Sequence, residues 1–185
     1  DLDLVARSHG WYDLAPFAWD GARRRLAFAF LDRGSPVEVV LSAADGGVRV
    51  AARAPRTVVG PVVARVLDLA TDLAPFHALC AVRRDDGFGW IADRGAGRVL
   101  RAPTLFEDAV KVLCTTNCSW ALTRLMAGRM VAAFDRGGAF PDAAFLASLP
   151  ERRLRDELKL GYRAPFLRAF ATRVAGGELD LAAWE

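Results

Sequence analysis

The chain has 185 residues, 53% hydrophobic and 25% charged, with a formal net charge of +3, enough to bury a real core in one domain or two small ones. No apolar run approaches the roughly 20 residues of a membrane-spanning helix, and no basic patch followed by an apolar block opens the chain as a signal peptide does. The charge is spread too evenly between the two halves to argue by itself for nucleic acid.

All but two of the cations, Lys111 and Lys159, are arginine. Arginine suits bidentate phosphate contacts, and a GC-rich genome also favours Arg codons everywhere. The three cysteines, Cys80, Cys114 and Cys118, are an odd number at no familiar disulfide spacing. They read as small buried thiols in a reducing compartment. With His9 and His77 the only histidines, the roughly four ligands of a zinc site are not at hand, so no metal and no cofactor is expected.

In chain order, His9-Gly10 lies in a strand-like start. Three short apolar runs follow, at 26–32, 36–42 and 47–53. Asp32-Arg33-Gly34 and Ala44-Asp45-Gly46-Gly47 separate them as hairpin turns, so the spacing predicts an antiparallel sheet. A helix fits 58–73, with Val62, Val66, Leu69 and Leu73 on one stripe, and a short one fits 75–82 with His77 packed in the core. Asp85-Asp86 reads as a solvated turn. Gly87-x-Gly89 and Gly95-x-Gly97 follow no strand that opens a helix, which weakens any dinucleotide-binding reading. The stretch 94–104 marks a boundary, dividing residues 1–98 from 99–185.

From about residue 101 the pattern is wholly helical. Thr104 and Glu107 form a capping box, and Phe106, Ala109, Val110, Leu113 and Cys114 an apolar stripe ending near 115–117. A second helix starts near Ser119, carries Leu122, Met126, Met130 and Phe134, and stops at Gly137-Gly138. Pro141 and Pro150 open two short helices at favoured first positions. A last helix runs from Pro165 or Phe166 to Gly176-Gly177. The fold class is therefore α+β, a sheet domain with helices followed by a helical cluster.

Two stretches carry candidate chemistry. In CTTNCSW, Asn117 reads as a helix cap, or as an amide presented to a base edge or phosphate. In LKLGYRAP, Tyr162 and Arg163 read as an amphipathic pair bridging core and solvent.

Taken together, PTLFEDAVKVLCTTNCSW (103–120) and LKLGYRAPFLRAFATRVAGGELDL (158–181) resemble the helix-hairpin-helix superfamily of DNA glycosylases. RSHGWYDLAPFAWD (7–20), with the strands after it, is similar to the sheet domain of the 8-oxoguanine and 3-methyladenine branches. The resemblance implies an enzyme that flips a damaged purine from duplex DNA and hydrolyses its N-glycosidic bond. It implies Tyr162 as a wedge, Arg163 as a donor to the orphaned partner base, Asn117 beside them, and a Gly10 carbonyl near the lesion. In the family, the glycine-rich hairpin, the catalytic aspartate and the lysine of bifunctional members all follow the region matching GELDL. None has a counterpart before Glu185, and Lys111 and Lys159 do not sit at the nucleophile's position. The resemblance thus implies a fragment whose catalytic residue lies beyond Glu185, from a monomeric, cytoplasmic protein associated with the bacterial nucleoid. Two other readings stay open: a non-catalytic module for distorted duplex, and an α+β domain holding a small molecule between sheet and helices.

Overall fold

The hairpin turns shape the sheet. Gly34 and Gly46 take φ of 82° and 72°, the left-handed conformation that tight strand connections demand and that glycine adopts without penalty. They join β2 (Arg25–Asp32), β3 (Ser35–Ala44) and β4 (Gly47–Ala52). A three-residue strand that sequence periodicity does not reveal, β1 (Ala18–Asp20), pairs with β2. The order is β1-β2-β3-β4, and both the β1–β2 and β3–β4 pairings are antiparallel. This computed structural model describes residues 1–184, and its class is α+β. Among the described residues no helix is long and apolar enough to cross a membrane.

The chain forms two compact units. The first comprises Asp1–Asp13, Phe17–Ala27 and Val39–Pro103. Its expected strand-like start is instead helical: α1 (Leu2–Ala6), capped by the Asp1 carboxylate, and a single tight turn, Gly10–Asp13. Helix α2 (Arg56–Val66) is shorter than the 58–73 expected, because Asp68 turns left-handed at φ 52° and ends it. Its buried side is Val59, Val63 and Val66, while Leu69 is 51% exposed. Of the expected stripe, Val66 is buried, Val62 and Leu73 are half-buried, and only Leu69 lies outside. Helices α3 (Ala74–Val82) and α4 (Gly89–Arg94) follow, joined by a wide turn at Arg84–Phe88. His77 is half-buried, its Nε2 2.7 Å from the Ala96 carbonyl.

The second unit comprises Leu14–Pro16, the Phe28–Glu38 hairpin tip and Thr104–Glu185. Its helices are α5 (Leu105–Thr115), α6 (Trp120–Phe134), α7 (Ala143–Ser148) and α8 (Ala164–Ala175). Each of the first three begins on an oxygen side chain that accepts from the N–H three residues on. Thr104 takes Glu107 N–H at 3.1 Å, Ser119 takes Leu122 N–H at 3.3 Å, and Asp142 takes Phe145 N–H at 2.8 Å. Such caps satisfy donors that helix geometry leaves orphaned. The third starts at Asp142 rather than on Pro141, since its acceptor side chain fixes the first turn. After Pro150 the chain makes a wide turn, Arg153–Glu157.

The core of this unit gathers Phe106, Val110, Cys114, Met126, Met130, Leu146, Leu154, Leu160, Leu167 and Ala171. Within it lies an ion pair: Lys111 Nζ stands 2.6 Å from Glu107 Oε1, with both side chains buried. At Gly137, φ is 52° and an added Cβ would lie 2.6 Å from the Pro36 ring, so the residue that ends α6's exit turn has to be glycine.

Candidate nucleic-acid interface

The site grows from the end of α5. Its last carbonyls have no helical partner and carry the negative end of the helix dipole. Thr116 caps that end in extended conformation, and its hydroxyl donates to the Leu113 carbonyl at 2.8 Å. Asn117 follows with φ 50°, a left-handed geometry that asparagine tolerates better than most side-chain-bearing residues. Asn117 is thus not the N-terminal helix cap. Ser119 is, and Asn117 makes the exposed turn between α5 and α6.

The opposing segment is Gly161-Tyr162-Arg163, one tight helical turn leading into α8. Lys159 at φ 63° and Gly161 at φ 56° swing the chain out of the preceding wide turn. Tyr162 stands 52% exposed, whereas Arg163 is buried to 3%. The Arg163 guanidinium lies over the tyrosine ring, its Cζ 4.5 Å from the centroid, at cation–π distance. Its Nε donates to Thr116 Oγ1 at 3.1 Å and its Nη2 to the Thr116 carbonyl. The Tyr162 hydroxyl lies 3.3 Å from Thr116 Oγ1 and 3.4 Å from the Thr116 carbonyl.

The resemblance implied an Arg163 that reaches an orphaned base, yet in this structure its guanidinium turns inward. The cause is electrostatic: a permanent cation finds the carbonyl end of α5 and a threonine oxygen within reach. Among the described residues no carboxylate forms an ion pair with it. The same burial acts on Cys114, pushing its thiol up to about 12, an effect the nearby Arg163 charge partly opposes. Cys118 is half-buried, its Sγ 3.1 Å from the Cys114 carbonyl.

Gly10 belongs to the first unit, where its neighbourhood is stapled to Leu100. His9 Nδ1 lies 3.4 Å from the Trp11 N–H, which assigns the acceptor role to that nitrogen. His9 Nε2 therefore carries the proton and donates to the Leu100 carbonyl at 2.6 Å. Ser8 Oγ accepts the Leu100 N–H at 2.9 Å. The first unit also has an open apolar groove of about 500 Å³, lined by Val48, Val50, Ala52, Val59, Val63 and Leu69. Among the described residues no three His, Cys, Asp or Glu side chains converge as metal ligands would.

Sequence reasoning missed Thr116. Its partners lie 46 and 47 residues away in the chain, and a hydroxyl beside an asparagine carries no signal of that pairing.

This fold is also seen in solved structures of DNA glycosylases. Three solved structures share it: MBOgg1 in complex with a low-affinity DNA ligand (TM-score 0.71, 16% identity), the 3-methyladenine DNA-glycosylase of Archaeoglobus fulgidus (0.73, 16%), and the Clostridium acetobutylicum 8-oxoguanine glycosylase/lyase with double-stranded DNA containing cytosine opposite 8-oxoG (0.66, 18%). They cover 98%, 92% and 99% of this chain respectively, and the chain spans 62%, 63% and 62% of theirs. At such identities the likeness is one of fold. No protein-family profile and no curated protein matches the sequence.

Proposed function

We propose that this chain is the duplex-distorting portion of a base-excision DNA glycosylase that extrudes a damaged purine. The observation that carries the reading is Tyr162: a half-exposed ring backed by a buried cation, beside the left-handed Asn117 turn. Extruding a nucleotide costs a few kcal/mol of lost stacking. A ring entering the gap returns about 1–3 kcal/mol. Phe166, one helical turn further on and 62% exposed, extends the apolar edge that would face the duplex. Asn117 offers its amide to a base edge or phosphate. Arg163 backs the ring in the free protein, and reaching the orphaned base requires it to exchange its Thr116 acceptors for those of the base. Gly10 would bring its carbonyl near the lesion.

These residues align with about 62% of the length of the structurally similar glycosylases. We assign hydrolysis of the N-glycosidic bond, and the helix-hairpin-helix with its catalytic aspartate, to the part they do not align with. Residues 1–98 would serve as the sheet domain and 99–185 as part of the helical one. The whole would act as a monomer on damaged double-stranded DNA in the cytoplasm.

The test is binding of the 185-residue chain to a duplex with an abasic site. Tyr162→Ala should cost about 1–3 kcal/mol, and an unchanged affinity would overturn the wedge. Affinity should also fall steeply with salt. A second reading, a neutral ligand in the groove between β4 and α2, predicts no such fall.

A further inference from the structure

We propose that Thr116 is a positioning residue for the Tyr162 ring, an inference that rests on the wedge reading above. Tyr162 is an exposed side chain with two rotatable bonds, and freezing it on binding carries an entropic cost. Thr116 removes much of that cost before DNA arrives.

The Thr116 hydroxyl gives its one proton to the Leu113 carbonyl at 2.8 Å, so its lone pairs are left to accept. One accepts from Arg163 Nε at 3.1 Å. The Tyr162 O–H is then the donor of its own contact, to Oγ1 at 3.3 Å or to the carbonyl at 3.4 Å. Two tethers therefore reach the ring. The first is its own hydroxyl; the second is the guanidinium lying on one face, itself held at Thr116. Half the tyrosine side chain stays exposed, leaving room for a base to stack. Because Thr116 caps α5, the ring is referenced to the helix that also sets Asn117. Ring and amide are thereby spaced by one residue rather than by two independent loops.

The experiment compares the affinity of the 185-residue chain for an abasic duplex and for the intact duplex. A 2-aminopurine beside the abasic site reports stacking by its quenching. Thr116→Val keeps the side-chain shape and removes the oxygen. It should lower the preference for the abasic duplex about fivefold, the worth of one net hydrogen bond, and leave intact-duplex affinity within about twofold. Thr116→Ser should restore the preference. Tyr162→Phe cuts only the hydroxyl tether and spares the α5 cap, and should lower the preference about twofold. In a Tyr162→Ala background, Thr116→Val should add nothing, since the ring it positions is gone. Equal loss on both duplexes would make Thr116 merely structural and overturn the proposal. So would full preference in both Thr116→Val and Tyr162→Phe while Tyr162→Ala loses it. If Tyr162→Ala itself keeps the preference, the wedge fails and the positioning role of Thr116 fails with it.

Discussion

Helices α3 and α8 carry similar loads of apolar side chains and place them in opposite ways. Helix α8 buries Ala164, Leu167 and Ala171 on one stripe and stacks Phe170 on Phe106 at 5.4 Å. Helix α3 buries Cys80 alone and leaves Phe76, Leu79 and Val82 at 41%, 61% and 82% exposure. The difference follows from periodicity. The α8 sequence is apolar on one face, whereas APFHALCAV is apolar almost all round, more than one contact face can cover. Exposure by itself is therefore a poor marker of function. Tyr162 is no more exposed than Leu79, and what distinguishes it is fixation by Thr116 and Arg163.

The tight packing of the helical core is tested most strongly at its buried ion pair. Lys111 and Glu107 are buried together on α5, and removing one partner of a buried pair strands the other's charge. Lys111→Met should cost about 3–5 kcal/mol in urea-induced unfolding, and adding Glu107→Leu should recover most of it. A cost below ~1 kcal/mol would mean that Glu107 finds water or another cation, and that this core is looser than its burial implies.

A smaller effect tests the same core by pH. Burial raises the Cys114 thiol to about 12, above its value in the unfolded chain, so the folded state holds a proton that the unfolded state releases. Stability is then fully present below about pH 8.5, the unfolded value, and falls as pH rises towards about 12, with a limiting slope near 1.4 kcal/mol per pH unit. By pH 10 the loss should approach about 2 kcal/mol. Cys114→Ala should start less stable, from lost packing, and show a flatter profile over that range. An identical slope in both proteins would place the titrating group elsewhere.

Much of the helical unit was legible in the sequence because its signals are local. Thr104 and Ser119 cap by reaching an N–H three residues on, a distance that spacing alone fixes. The hairpin turns were legible for the same reason. What escaped depends on partners far along the chain. Helix α2 stops where Asp68 turns left-handed, and Arg98, 30 residues on, donates to the Asp68 carbonyl. Strand β1 is three residues that exist by pairing with β2. At the candidate interface, Asn117, Tyr162 and Arg163 were visible as residue types through resemblance. The inward turn of Arg163 was not, because the end of α5 dictates it.

The exposed face of α3 should respond least to substitution. Val82 closes α3 at 82% exposure, so folding removes little of its apolar surface from water. Val82→Ser should change stability by no more than about 0.5 kcal/mol. Serine solvates better on an open surface, while its hydroxyl competes for backbone groups near the terminus and valine loses rotamer freedom in the helix, so the terms nearly cancel. A loss above about 1 kcal/mol would require Val82 to be covered in solution. The apolar face of α3 would then belong with that of α8 as a packed surface, and fixation rather than exposure would be common to both.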